Sequence, residues 1–288
     1  MAEMKRIIVP TDFSEASLNA INFVLGAFKQ FELELHLLNV YTPAPISGRF
    51  MSSTGSIDLL NPIMEESSAS NLKELQSHLL KSYDTSSLSI VTHSSFGLLN
   101  HAVVDLIEEV QPHLIVSSST KTSDLESFML GNNTIGLIKN LGKTPMLIVP
   151  KNPLSSVIKK IVVAIDLSKP LSEKTLGHIS ALQGQLNAKV EFVHVIEDKE
   201  DNGQNVVDSL SASGKHFYER YQDCLTFITT NGSISTSLSR FLNEKDADLL
   251  VMLYHRNNLL YKLTHEPAVR RMVYAHDKPV YIIPEELD

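Results

Sequence analysis

The sequence predicts an α/β protein made of two tandem, doubly wound parallel sheets of five strands, each sandwiched by helices. Three observations predict it. The 288 residues fit two domains of about 140 residues, each large enough to bury its own core. Strand-like segments recur in the same order in both halves. These segments are short, β-branched and apolar on both faces, and helical patterns separate them, as in covered parallel sheets. Domain one is assigned to residues 1–150 and domain two to residues 158–288, with a polar linker between them.

The two halves of the chain contain matching segments in the same order, and the first pair aligns without gaps. The matched pairs are KRIIVPTDFS at 5–14 with KKIVVAIDLS at 159–168, LHLLNV at 35–40 with EFVHV at 191–195, PHLIV at 112–116 with ADLLV at 247–251, and TPMLIVP at 144–150 with KPVYIIP at 278–284. Four ordered matches indicate two copies of one fold.

Helical periodicity fills the gaps between these strands. Ser14 is a predicted N-cap for a helix whose apolar residues recur at spacings of three and four. Further helices are predicted at 66–81, 98–110 and within 134–141 in domain one, and at 171–186, 206–224, 234–243 and 267–275 in domain two. The segment from Tyr41 to about Glu65 is rich in Pro, Ser and Gly and is predicted to be a long loop. The acidic run 197–201 is predicted to be a solvated loop.

Composition argues against several classes of protein. The net charge is −8 without a basic cluster, which disfavours nucleic acid as a partner. No apolar run approaches the roughly 18 residues of a membrane span, so we expect no membrane partner. The single cysteine, Cys224, excludes an internal disulfide and indicates a reducing compartment, by default the cytoplasm. The eleven histidines lack metal-ligand spacing, so no metal site is predicted.

The residues themselves carry a family resemblance. The opening IIVPTDFSEAS, the LLNV segment, and GNNT followed by TPMLIVP resemble a universal stress protein domain. The resemblance spans nearly the whole chain and is more specific over residues 1–150. It implies an adenine-nucleotide-binding α/β fold of the adenine nucleotide alpha-hydrolase type, pairing as dimers or tandem repeats, and a role in the response to stress or starvation. Some members of the family bind ATP and others do not.

The loop after the fourth strand decides between these two kinds of member. ATP-binding members resemble Gly-x-x-Gly, nine residues, then Gly-Ser or Gly-Thr, because glycines let backbone amides approach the phosphates. Here Ser118 and Lys121 replace the two leading glycines, nine residues follow, and Gly131 begins the last part. The spacing survives without the leading glycines. Gly131 is interpreted either as part of an anion site formed with the next three residues, or as a plain turn into a helix.

One aspartate follows the first strand of each half, Asp12 in domain one and Asp166 in domain two. The resemblance places Asp12 beside the adenosine and the main chain around Val40 against the adenine. The alternative is that Asp12 and Asp166 only accept amides at the start of the next helix. The candidate nucleotide-binding residues are Thr11, Asp12, Val40, Ser118, Lys121, Gly131, Asn132, Asn133 and Thr134. Domain two has no glycine after Val251, so it is predicted not to bind ATP in the family manner.

Two functional hypotheses remain open at this point. One is a regulatory protein that binds ATP or AMP in domain one. The other is an interaction scaffold without nucleotide, whose domains pair through their final strands and whose loops 41–65 and 196–205 recruit a protein partner. No catalytic motif is present, so an enzyme is not predicted, although weak ATP hydrolysis stays open. The sequence also leaves open whether the tandem chain forms a homodimer.

Overall fold

A computed structural model provides the fold. It describes residues 4–42, 55–84, 86–119, 132–167, 171–196, 210, 212–230, 234–254 and 278–284. Domain one contains β1 (Lys5–Pro10), α1 (Glu15–Ala27), β2 (Leu33–Tyr41), α2 (Gly55–Ser82), β3 (Leu88–Phe96), α3 (Leu99–Val110), β4 (Leu114–Ser119), α4 (Asn132–Lys139) and β5 (Met146–Pro150). Domain two contains β6 (Lys160–Ile165), α5 (Glu173–Leu186), β7 (Lys189–Ile196), α6 (Ala212–Tyr221), β8 (Leu225–Thr229), α7 (Ile234–Glu244), β9 (Leu249–Tyr254) and β10 (Val280–Pro284).

The ten strands form one continuous sheet in the order β3-β2-β1-β4-β5-β10-β9-β6-β7-β8. Each domain contributes five parallel strands, and the two halves join where β5 runs antiparallel to β10. This confirms the predicted fold class, and the domains pair through their final strands. In each half the strand order reverses beside the first strand, which is where open α/β sheets form ligand crevices.

The strands are apolar because both faces of the sheet are covered. In β1, Ile7 and Val9 face one core layer and Ile8 faces the other. Helices α1, α2, α5 and α6 cover the first layer, and α3, α4 and α7 cover the second. Equivalent capping starts the first helix of each domain: Ser14 accepts the amide of Ser17, and Ser172 accepts that of Thr175. The Ser14 cap was predicted and is confirmed.

The predicted loop 41–65 is wrong over residues 55–65, which are helical, while residues 43–54 lie outside the described part of the chain. Pro62 lies inside α2. A proline removes only one helical hydrogen bond, and the next turns of α2 are anchored in the core by Leu72, Leu75 and Leu79.

Other predictions need correction or fall outside the described residues. The sequence pattern predicts the third strand at about 88–93, and the structure extends it to Phe96. The predicted helix 206–224 is observed as α6, followed by a short 3-10 turn at Gln222–Cys224. The predicted helix 267–275 and the loop residues 197–205 lie outside the described residues. Over the described residues, none of the helices combines the length and apolar character that crossing a bilayer requires.

Candidate functional site

The candidate site lies at the carboxyl ends of β1, β2 and β4, where the strand order of domain one reverses. The register places Pro10 beside Leu38, and the amide of Thr11 donates to the Leu38 carbonyl at 2.8 Å. On the other side β1 pairs with β4, with Ile8 beside Ile115. The strand order therefore puts the ends of β2, β1 and β4, which carry Val40, Thr11 and Ser118, next to one another in the sheet.

The side chain of Thr11 is buried and supports the turn after β1. The Ser17 hydroxyl donates to the Ser14 carbonyl at 2.9 Å, so the Thr11 hydroxyl donates to Ser17 Oγ at 3.0 Å. Thr11 Oγ1 also accepts the amide of Phe13 at 3.1 Å. That amide belongs to a residue at φ 62°, a left-handed conformation uncommon for side chains this bulky. The Thr11 hydroxyl thus stabilises the backbone that positions Asp12.

The Asp12 carboxylate lies at the exposed rim of this turn. Its Oδ1 accepts the amide of Ser14 at 3.0 Å, as the capping alternative predicted. Partial burial pushes the pKa of Asp12 upward, but hydrogen bonds from the side chain and backbone of Ser14 contribute to holding the pKa below its ordinary 3.8. The carboxylate is therefore ionised at neutral pH and presents negative charge to the crevice.

A buried polar chain behind the turn is a feature that the sequence analysis missed. Asn39 Nδ2 donates to the Thr11 carbonyl at 2.7 Å, and Asn39 Oδ1 accepts the Ser68 hydroxyl at 2.7 Å. The Ser94 hydroxyl then donates to Ser68 Oγ at 2.7 Å. The chain connects β1, β2, α2 and β3. The sequence signal is that the polar Asn39 interrupts the apolar run from Leu37 to Val40 near the end of β2.

The structure places some of the remaining predicted residues in strands and helices, and others lie outside the described residues. Val40 is half-buried at the end of β2, with its side chain against the second core layer. Ser118 lies within β4, paired with Val149, rather than in the loop that follows. Asn132, Asn133 and Thr134 form the first turn of α4, and the Thr134 side chain is buried. Lys121 and Gly131 lie outside the described residues.

Domain two builds the equivalent turn with a different side chain. The repeat and the strand register place His194 where domain one has Asn39. His194 Nδ1 lies 3.2 Å from the Ile165 carbonyl and 3.3 Å from the Leu167 amide. One nitrogen cannot donate to the first and accept from the second in a single tautomer. His255, Arg256 and His265, which replace the glycine motif here, lie outside the described residues.

The residues that the structure describes offer neither a metal site nor a reactive thiol. Among those residues, no group of three or more His, Cys, Asp or Glu side chains is arranged to hold a metal ion. Burial raises the pKa of the Cys224 thiol, and the charges of Asp223 and Glu191 raise it further. A protonated thiol is a poor nucleophile.

Comparisons with known proteins agree with this geometry. The model of the universal stress protein family matches the chain twice, over residues 3–150 and 158–284. The chain is 29% identical over 147 residues to a universal stress protein of Methanocaldococcus jannaschii, covering 51% of this chain and 82% of the relative.

Two solved structures have the same fold across nearly the full length. A universal stress protein from Archaeoglobus fulgidus superposes with a TM-score of 0.68 at 16% identity, covering 97% of this chain and 96% of that one. A putative universal stress protein from Pseudomonas aeruginosa gives a TM-score of 0.60 at 14% identity, covering 97% and 93%. At these identities the likeness is evidence for the fold alone.

Proposed function

We propose that this chain, which belongs to the universal stress protein family, is a stress-response regulatory protein that binds an adenine nucleotide, ATP or AMP, in domain one. Binding involves no turnover in this proposal, since the sequence carries no catalytic motif. We place the protein in the cytoplasm, consistent with its single cysteine.

The observation that carries the proposal is the reversal of strand order between β1 and β4, where open α/β sheets form ligand crevices. Asp12, which is ionised at neutral pH, follows the end of β1 at this point. A carboxylate at this place suits ribose, because hydroxyl groups donate strong, charge-assisted hydrogen bonds to it. Helix α4 begins after β4 at Asn132, and the amides in the first turn of a helix have no acceptor within the helix, which suits a phosphate.

The two domains have different roles in this proposal. Domain one, residues 1–150, holds the nucleotide with a partly degenerate motif, in which Lys121 supplies a cation and Gly131 a close backbone approach. Domain two, residues 158–288, lacks the glycine motif and serves as the structural partner of domain one. The antiparallel contact of β5 with β10 supports this division, since one chain contains its own domain pair.

Thermal unfolding of the purified full chain with ATP, AMP or no nucleotide tests the proposal. A ligand at about a hundredfold its Kd adds about 2.7 kcal/mol to stability, so a bound nucleotide raises Tm measurably. Asp12→Asn keeps an oxygen for the Ser14 amide but removes the charge, and we expect a roughly tenfold weaker nucleotide affinity. Gly131→Val should abolish the shift by blocking the backbone approach.

The matched control is Asp166→Asn, which changes the equivalent aspartate of domain two. It should leave the nucleotide-induced Tm shift as in the parent chain. Equal weakening by Asp166→Asn and Asp12→Asn would contradict a site confined to domain one. Absence of any shift at millimolar nucleotide would contradict nucleotide binding altogether.

A second function, an interaction scaffold without nucleotide, is favoured by one observation. Phe96 and Leu98 are 52% and 63% exposed, and Phe96 contacts Tyr41, with ring centroids 5.8 Å apart. Large apolar side chains grouped near a ligand crevice are typical of protein-binding surfaces. Under this function no nucleotide changes Tm, and a partner protein co-purifies with the parent chain but not with a Phe96→Ser variant.

A further inference from the structure

Two histidines on neighbouring strands of domain one form a hydrogen-bonded pair away from the candidate site. His36 Nδ1 on β2 lies 3.0 Å from His93 Nε2 on β3, and the rings stack with centroids 5.2 Å apart. His36 Nε2 is held in turn by Glu34 Oε1 at 2.9 Å. The side chain of His36 is 8% exposed, whereas His93 is half-buried. In the sheet order, β3 is an edge strand that pairs with β2 alone.

The hydrogen bonds fix where the protons are. A carboxylate only accepts, so His36 Nε2 carries a hydrogen and, in the neutral ring, Nδ1 is an acceptor. His93 must then donate from Nε2, which leaves its Nδ1 as the vacant nitrogen. The chain of donors therefore runs from His93 through His36 to Glu34.

The same geometry limits how many protons the pair accepts. A first added proton charges one of the two rings, and the charged ring then donates to the neutral one, so every hydrogen bond of the chain stays in place. A second added proton charges the other ring and puts two N–H groups and two positive charges face to face across 3.0 Å. That arrangement has no acceptor and is repulsive, so it requires the two rings to separate.

The charged groups around the pair come from three neighbouring elements. Glu34 belongs to β2, and Glu109 of α3 acts electrostatically on His93. Arg6 of β1 stands beside Glu34 in the strand register. On β3 itself the pair has no other charged residue. The buried side chains of α3, Val103 and Leu106, belong to the apolar layer on this face of the sheet.

We propose that His36 and His93 form a one-proton latch between β2 and the edge strand β3, which holds while at most one ring is charged and releases the edge strand when both are. The latch is independent of nucleotide binding. Its release weakens the attachment of β3 to β2 in acid.

The direction of titration agrees with the latch. Burial lowers the pKa of His93 below its ordinary 6.5, and the neighbouring His36 lowers it further, while Glu109 partly opposes this. The folded chain therefore binds fewer protons than the unfolded chain near and below that pH. Stability is full above the ordinary pKa and falls as the pH drops below it.

Histidine-resolved NMR of the full chain tests the proton positions directly. The expected result is that His93 titrates below the ordinary histidine range and that the folded chain does not populate a state with both rings charged. Nitrogen chemical shifts report the charge and tautomer of each ring. A folded chain in which both rings are charged while β3 stays paired with β2 would overturn the latch.

Denaturant unfolding near pH 7.5 and pH 5.5 gives the second measurement. The His93→Gln variant retains a donor for His36 Nδ1, but glutamine does not titrate. Between pH 7.5 and pH 5.5, its denaturant midpoint should therefore fall by about half as much as the midpoint of the parent chain, or less. His78→Gln, on the exposed face of α2, is the matched control and should behave like the parent. Equal acid sensitivity of His93→Gln and the parent chain would show that the pair does not act as a latch.

Discussion

The two domains fill equivalent buried positions with different polar chemistry. Where domain one has His36 and His93, the strand registers of domain two place Glu191 and Thr226. Glu191 Oε1 accepts the Thr226 hydroxyl at 2.9 Å and the Lys245 ammonium at 2.6 Å. Both arrangements give these polar side chains hydrogen-bond partners. The domain-one arrangement uses two imidazoles, whereas domain two uses a carboxylate, a hydroxyl and an ammonium.

The carboxyl ends of the first strands differ in the same way. Asn39 makes two short hydrogen bonds and anchors the turn that carries Asp12. His194, its equivalent, makes two long contacts with one nitrogen. Both domains have a polar side chain at this position. Among the described residues, only the one in domain one, Asn39, connects the turn after the first strand to a chain of further hydrogen bonds. This is the physical difference behind assigning the nucleotide to domain one.

The largest expected effect comes from removing the domain-one anchor. Asn39→Ala leaves the Thr11 carbonyl and the Ser68 hydroxyl without their partner in a buried place, which should cost about 2 to 4 kcal/mol. His194→Ala should cost about 1 to 2 kcal/mol, because its hydrogen bonds are longer. Calorimetric scans of both variants measure the difference. Ser94→Ala, at the exposed end of the network, is the control and should cost less than about 0.5 kcal/mol.

The ranking of these variants is what the measurement tests. If His194→Ala destabilises as much as Asn39→Ala, the network has no special role in domain one.

An intermediate effect distinguishes two equivalent helical glycines. A Cβ on Gly26 of α1 would lie 2.8 Å from the Cβ of Ser156 in the linker, whereas a Cβ on Gly184 of α5 meets nothing within 4 Å. Gly184→Ala should therefore stabilise by up to about 1 kcal/mol through helix propensity. Gly26→Ala should destabilise by a similar amount, because the linker must move. Urea midpoints of the two variants should shift in opposite directions, and parallel shifts would mean that the linker does not pack closely on α1.

The smallest effect concerns the ion pair of domain two. Lys245→Ala should cost about 0.5 kcal/mol, since the Lys245 and Glu191 side chains are 37% and 20% exposed and Thr226 still donates to the carboxylate. Lys151→Ala breaks a more exposed pair with Glu15 and is the control, with an effect near zero. Unfolding at low and high salt checks the assignment, because the Lys245 effect should persist where surface pairs are screened. Identical responses of the two variants would argue against a partly buried pair.

The sequence predicted the parts of the fold that depend on local pattern. Repeated apolar segments identified two domains and their strands, and the serine before α1 predicted its start. Pattern failed where packing overrides local signals. Pro62 and the polar residues around it indicated a loop, but the anchored turns after them make this stretch part of α2.

The candidate site divides along the same line. The sequence by itself determined that the carboxyl ends of β1, β2 and β4 carry polar residues and that Ser14 starts a helix. Only the tertiary structure decided that Asn39, Ser68 and Ser94 form one chain, that Ser118 belongs to a strand, and that His36 meets His93. Caps and periodicities act over a few residues of one segment. Contacts such as that of His36 with His93, 57 residues apart, depend on strand order and register, which the whole core fixes.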